Sequence, residues 1–290
     1  MNYPKCIILS PTYNDWESVF KLLRVLNDNI KKSKFTFEII IINDASTKKG
    51  QISTSKLKNF KKIRIINLNK NSGSQPAIAV GLNVIKKIKE NFNVLVLDSD
   101  GEDNPKKINY LLSILEKNRE KVIVASRSQR TENFFLKLLN FLRLLFTYLI
   151  TGKMMNFGNF SCFNSKHLRN LANKPELGLS YSGTLQKYFN IKKIPIKKEL
   201  RYFGESKVSF GFLISYSLKI ISVFKFEVLI YSSLFLFFGY ILNLFYGNFY
   251  NFSFFLIIYF IFNATIILIN YKNTKHIKFL NLVKNISKIK

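Results

Sequence analysis

Acidic residues are scarce, and they are unevenly placed. Every aspartate lies at or before Asp103, and 17 acidic residues face 45 basic ones, a formal charge of +28. Carboxylate chemistry is therefore confined to the N-terminal part. The only cysteines are Cys6 and Cys162, far apart, and the only histidines are His167 and His276, both isolated. That excludes a disulfide framework, a zinc site and a histidine-based metal site or triad; Cys6, which opens an apolar strand, reads as a small core residue. No Gly-x-Gly-x-x-Gly follows the first strand and no Gly-Lys-Ser/Thr loop occurs, which excludes a dinucleotide-binding Rossmann domain and a P-loop NTPase. Met1 leads almost directly into a strand, so no secretory leader is expected. The surplus of positive charge suits polyanions: nucleic acid, an anionic membrane face or phosphorylated substrates. The aromatic residues concentrate in apolar segments and not among the basic ones, so base-stacking platforms are not evident and no nucleic-acid partner is expected.

At 290 residues the chain holds one large domain, or one domain plus an appendage. Apolar runs at 6–10, 37–42, 63–68, 94–97 and 122–125 read as strands. Between them, 16–30, 74–88 and 105–115 read as helices; Val19, Leu22, Leu23, Leu26 and Ile30 share one face of the first. Strands alternating with helices predict an α/β fold with a doubly wound, mainly parallel sheet. Ligands of such sheets sit at the carboxyl ends of the strands. The polar clusters after the first, second, fourth and fifth strands all land there.

The remainder changes character. From Val228 to Tyr271 no charged residue occurs, and 228–246 and 252–269 are each close to the ~20 residues that cross a bilayer. Lys219 and Lys225 precede the pair, Lys272, Lys275 and Lys278 follow it, and the turn at 247–251 has no lysine, which predicts a hairpin with both ends cytoplasmic. In 133–150 the polar residues Asn133, Lys137, Asn140, Arg143 and Thr147 form one narrow stripe on a wide apolar helix, which fits either a membrane interface or a domain core. The segment 209–225 has a similar texture. The expected organisation is thus a cytoplasmic catalytic domain over 1–208, an amphipathic juxtamembrane helix over 209–225, two transmembrane helices over 226–271 and a basic cytoplasmic tail over 272–290.

The most informative stretch is Asn93-Val-Leu-Val-Leu-Asp98-Ser99-Asp100-Gly-Glu102-Asp103. A buried strand that runs into a carboxylate cluster is costly unless the charges meet something positive. It reads either as a bare acidic turn or as a hard-metal site. Asp98 and Asp100, two apart on an extended chain, face the same way, and oxygen ligands so spaced suit Mg²⁺ or Mn²⁺.

Together these motifs resemble the family 2 glycosyltransferases of GT-A fold, and more narrowly the polyprenyl-phosphate glycosyltransferases, over about residues 5–225. Pro11-Thr-Tyr13-Asn14-Asp15 resembles Pro-x-Tyr-Asn-Glu, and Asn43-Asp44-Ala45-Ser46-Thr47 resembles Asp-Asp-Gly-Ser-Thr. Asn71-Ser-Gly73-Ser-Gln75-Pro-Ala77 with Gly81-Leu82 is similar to Asn-x-Gly-x-Gln-x-Ala…Gly-Leu, and Asp98-Ser-Asp100 to Asp-x-Asp. Ser126-Arg127 with Arg130 resembles the Gly-x-Arg segment, Asn156-Phe-Gly158-Asn-Phe160 resembles Asp-x-Gly-x-Phe, and Arg201-x-x-Gly204-x-Ser206-Lys207 is similar to Arg-x-x-Gly-x-Ser-Lys. Asn156 in place of an aspartate, Glu102 in place of a glutamine and Asp15 in place of a glutamate are departures.

The resemblance implies a membrane-bound inverting glycosyltransferase that moves a sugar from a UDP- or GDP-sugar to a polyprenyl phosphate. Asp98, Asp100 and Glu102 would hold Mg²⁺ or Mn²⁺. Pro11, Tyr13, Asn14, Asp15, Asp44, Gly73, Gln75, Asp98, Ser99 and Asp100 would face the nucleotide sugar. Arg127, Arg130, Arg201, Ser206 and Lys207 would hold the acceptor phosphate, with Arg127 and Arg201 counted among the catalytic residues. Membrane lipids are expected partners, and a homo-oligomer is left open. The competing readings are transfer to a hydroxyl of a lipid or polysaccharide, and a catalytically silent membrane scaffold.

Overall fold

The computed structural model describes residues 3–50, 52–127, 134–204, 210–246, 249–275 and 278–290. In chain order the elements are β1 (Lys5–Thr12), α1 (Trp16–Ile30), β2 (Thr36–Asn43), β3 (Phe60–Leu68), α2 (Ser74–Ile85), β4 (Asn93–Val96), α3 (Ile108–Lys117), β5 (Val122–Arg127), α4 (Phe134–Thr151), β6 (Phe157–Asn164), α5 (Ser165–Leu171), α6 (Tyr181–Tyr188), β7 (Ile191–Ile196), α7 (Phe210–Val223), α8 (Lys225–Tyr246), α9 (Phe249–Thr274) and β8 (Val283–Lys288). One sheet of eight strands runs in the order β7-β5-β6-β4-β1-β2-β3-β8. β1 pairs parallel with β2 and β4, β2 with β3, and β5 with β7. β6 runs antiparallel between β4 and β5, and β8 runs antiparallel along β3.

The central strands are near-continuous apolar runs because both faces are covered. Alternation sorts their side chains. Cys6 and Ile8 of β1 pack with α1 and α3, while Ile7 and Leu9 pack with α2, α5 and α6. Both cysteines are buried free thiols, as their apolar surroundings imply.

Three strands escape the sequence pattern. β6 mixes glycine, asparagine and serine with its aromatics, and β7 carries two lysines and a proline. β8 lies in the stretch expected to be a basic tail, and here the structure differs from the expectation. Asn67 stands opposite Asn285 and Leu68 opposite Val283, so the chain re-enters the sheet after α9. Lys290 continues the contact, its Nζ donating to Leu57 O at 2.8 Å and Lys58 O at 3.0 Å. Without β8, the edge of β3 would be an open template for aggregation. Ending the chain after Leu282 is expected to lower the melting midpoint by several degrees, at roughly 2–4 °C per kcal/mol for domains of this size. It should also promote association in detergent. Scanning fluorimetry with size-exclusion chromatography checks this, and an unchanged midpoint would mean that β8 stabilises nothing.

Two stretches, Lys225–Phe245 and Phe252–Thr274, are long and apolar enough to cross a membrane. They are not the core of a soluble domain, because their large side chains face outward; Phe245 is 80% exposed and Phe238 65%. Polar pairs tie the two helices together: Ser232 with Asn263, and Ser233 Oγ with Tyr259 Oη at 2.8 Å. The side chains of α4 divide between its two faces. Thr147 and Thr151 are buried, while Phe141, Leu142, Leu145, Phe146 and Leu149 are exposed, so its apolar face is turned out. A third core, formed by Ile150 of α4, Ile220, Ile221 and Val223 of α7, Val228 of α8 and Ile266 of α9, joins these helices to one another.

Candidate active site

β1, β2 and β4 run parallel, and the loops that follow them meet at one edge of the sheet. In the first loop Asn14 adopts a φ of 52°, which asparagine tolerates better than most residues. Its N–H donates to Ser46 Oγ at 2.8 Å, and its Oδ1 accepts from Thr47 N at 2.9 Å and Lys48 N at 3.0 Å. Asn14 thus fastens the first loop to the second. Asp44 fastens the second to the loop that follows β3. It is only 3% exposed, and its oxygens accept from Ser72 N at 2.8 Å and Gly73 N at 2.7 Å. Burial raises the Asp44 carboxyl above its ordinary range, against the lowering effect of those two N–H groups. Gly73 has a φ of +91° with open space around it, so the backbone alone calls for glycine there.

β4 stops at Val96 and the chain turns through the acids. Gly101 has a φ of +89°, and a Cβ there would stand 2.7 Å from the Tyr202 ring, so no side chain fits. Asp98 N–H donates to Asp103 Oδ2 at 2.9 Å, and Glu102 N–H to Asp100 Oδ1 at 3.0 Å. The segment after β7 lies along this turn, with Tyr202 N donating to Asp100 O at 2.8 Å and Glu199 N to Glu102 O at 2.9 Å. That pairing delivers Arg201 to the carboxylates. Its Nη1 is 3.1 Å from Asp100 Oδ2 and its Nη2 is 3.5 Å from Asp15 Oδ2. Even so, burial and then the charge of Asp98 push the Asp100 carboxyl up to about 6.

The residues expected from the sequence divide into three groups. Asp15, Asp98, Asp100 and Arg201 come together, and Tyr13, 43% exposed, stands beside them in the chain with its ring open to solvent. Asn14, Asp44, Gly73 and Gln75 build the walls; Pro11 and Ser99 are buried in them. Glu102 has its own partner, its carboxylate lying 2.7 Å from Lys198 Nζ, and among the described residues no group of three or more His, Cys, Asp or Glu side chains is gathered as a metal site. Arg127 ends β5 at the same sheet edge, but its side chain, with Arg130, Ser206 and Lys207, lies outside the described residues.

Asn159 is a site residue that the sequence reading misses. It sits on β6, and its Nδ2 donates to Asp98 Oδ1 at 3.0 Å. Its one sequence signal is its place inside the Asn156-Phe-Gly158-Asn-Phe160 motif.

The family model described as Glycosyl transferase family 2 matches residues 7–170. Among solved structures, S. aureus TarS 1-349 aligns with a TM-score of 0.49 at 16% identity, over 78% of this chain and 65% of that one. The same protein in complex with UDP-GlcNAc aligns with a TM-score of 0.47 at 17% identity, over 76% and 66%. The chain thus spans just under two thirds of the length of those structures.

Proposed function

The chain belongs to glycosyl transferase family 2, and from that premise we propose that it moves a sugar from a nucleoside-diphosphate donor to a lipid phosphate at a membrane surface. One observation carries the lipid acceptor: the apolar helices leave and rejoin the domain at the edge that bears the acidic turn. α4 follows the end of β5 and leads into β6, whose antiparallel course starts at that edge. The chain departs towards α7, α8 and α9 after Arg201, which touches Asp100, and returns at Val283 opposite Leu68, the last residue of β3. A lipid headgroup would reach the acids from the same side. The return of β8 to the catalytic sheet also supports an even number of spans, and hence both termini on the catalytic, cytoplasmic side.

The reaction replaces one bond at the anomeric carbon with another. An acceptor phosphate oxygen forms the new C–O bond, and the bond to the donor's diphosphate breaks, with the electron pair leaving on that diphosphate. A phosphate oxygen is already anionic, so no strong general base is required. The residues agree: Asp98 accepts from Asn159, Asp100 and Asp15 face Arg201, and Glu102 faces Lys198. Asn156, where the resembled motif has an aspartate, cannot take a proton.

Asp98 and Asp100 fit a hard cation without Glu102, because Mg²⁺ is commonly held by one or two carboxylates and the substrate's phosphates. When bound, such a cation supplies charge stabilisation for the departing diphosphate. On this reading Tyr13 faces the nucleoside, and Arg201 stands between donor and acceptor phosphates, a role suited to its forked geometry.

The test is to incubate the detergent-solubilised chain with Mg²⁺ or Mn²⁺, labelled UDP- and GDP-sugars, and either polyprenyl phosphate or the corresponding polyprenol. Labelled lipid is expected with the phosphate and not with the alcohol, with nucleoside diphosphate released in equal amount. Product with the alcohol alone would establish a hydroxyl acceptor, and no product with any sugar would favour the scaffold.

A further inference from the structure

Asp98 stands two residues beyond the end of β4 and directly after Leu97, whose N–H still donates to Leu9 O at 3.1 Å, so its side chain projects from where the chain leaves the sheet. One of its oxygens is held there. Asn159 Nδ2 donates to Asp98 Oδ1 at 3.0 Å. Asn159 is in turn addressed by Gln75, whose Nε2 donates to Asn159 Oδ1 at 3.3 Å. Gln75 Oε1 accepts from Tyr181 N–H at 2.6 Å. Asn159 is 9% exposed and Gln75 8%, so water has little access to the chain of amides.

The direction of this chain is determined by its ends. A side-chain amide can present either its oxygen or its nitrogen, and the choice follows from its partners. Tyr181 N–H can only donate, so Gln75 must turn Oε1 towards it and Nε2 towards Asn159. Asn159 must then turn Oδ1 to Gln75 and Nδ2 to Asp98, whose Oδ1 accepts. One arrangement satisfies every link, and it aims a hydrogen-bond donor at Asp98. Tyr181 is itself fixed by Ser161, whose Oγ lies 2.6 Å from Tyr181 Oη and 3.0 Å from Asn159 O.

We propose that Asn159, oriented by Gln75, is a positioning residue that holds the Asp98 carboxylate in the rotamer required to ligate a divalent cation with the donor's diphosphate. The inference rests on the glycosyltransferase reading above. It adds Asn159 to the site and gives Gln75, already placed in its walls, the part of orienting it; neither would touch the cation. Orienting partners of this kind typically affect metal affinity or activity by about 10–100-fold.

The probe is Mn²⁺ in the presence of UDP or GDP, titrated against the full-length protein in detergent and followed by electron paramagnetic resonance, with the melting midpoint recorded alongside. Asp98→Ala serves as the control for the metal itself. Asn159→Ala is expected to weaken Mn²⁺ uptake by about 10–100-fold with the melting midpoint little changed. Gln75→Glu leaves Asp98 and Asn159 in place and removes the donor to Asn159 Oδ1, together with the longer contact of the same nitrogen to Ser74 Oγ at 3.4 Å. The Asn159 amide is then able to turn its nitrogen to the introduced carboxylate and its oxygen to Asp98. This variant should therefore weaken Mn²⁺ uptake in the same direction, and it remains informative if Asn159→Ala does not fold. Wild-type Mn²⁺ affinity in either folded variant, with Asp98→Ala defective, overturns the positioning role while leaving the metal reading intact. A wild-type protein that takes up no Mn²⁺ with either nucleotide overturns both.

Discussion

Replacing Asp98 or Asp100 with alanine is expected to abolish sugar transfer, and chelation with EDTA should do the same to the unaltered protein. The departing diphosphate needs several kcal/mol of charge stabilisation from the cation these residues would hold, which corresponds to about a thousandfold in rate. Stability should respond differently. Burial and the neighbouring Asp98 hold the Asp100 carboxyl at about 6, above the range of an unfolded chain. The native state therefore binds that proton more tightly than the unfolded state does. Stability contributed by this group is lost as pH rises from the ordinary carboxylate range through about 6, and above that the ionised Asp100 is a net cost. Asp100→Asn should consequently melt no lower than the wild type at pH 7.5, and its advantage should fade near pH 4. A residue that is costly to the fold and needed for activity is the trade-off expected of a functional site. Activity assays with and without EDTA, set beside melting curves at the two pH values, check both halves. Full activity in EDTA would remove the cation from the mechanism.

Arg201→Ala is expected to lower transfer to polyprenyl phosphate by roughly ten- to hundredfold, since a hydrogen bond to a charged group contributes about 1.5–3 kcal/mol. Donor affinity should change much less. In the structure the guanidinium faces Asp100 and Asp15. Once the donor's diphosphate and a cation occupy the acids, its forked N–H groups can meet an incoming phosphate. Arg201→Lys keeps the charge but loses the fork, so it should recover only part of the rate. The measurements are nucleotide-sugar affinity by calorimetry and glycolipid formation at saturating donor. Loss of donor affinity in step with transfer would assign Arg201 to the donor diphosphate, and no loss in either would leave it a structural partner of Asp100.

Much of the fold is legible in the residues because the signals are local. The apolar runs of β1, β2 and β4 announce buried strands, and the spacing of Val19, Leu22, Leu23 and Leu26 announces α1. The uncharged stretch from Val228 to Tyr271 announces two long apolar helices. The acidic turn is equally plain, because four acids in six positions stand out against a basic chain. β6 and β8 are less so. Phe157–Asn164 and Val283–Lys288 carry glycine, asparagine and lysine among their apolar residues, and each becomes a strand because a neighbour supplies the other half of the ladder.

The partners of the acids belong to the same class. Asp98 and Asp100 are adjacent by covalent geometry, and any sequence reading finds them. What each carboxylate faces is decided by side chains brought from far along the chain: Asn159 to Asp98, Arg201 to Asp100, and Lys198 to Glu102. By itself the sequence determined the alternation of strands and helices, the place of the acidic turn and the extent of the apolar hairpin, because each follows from contacts within a few residues. Only the tertiary structure decided that Lys198 faces Glu102, that Asn159 is turned towards Asp98, and that the last strand returns to the edge of β3. Those outcomes depend on which distant backbones pack side by side, and no local periodicity encodes that.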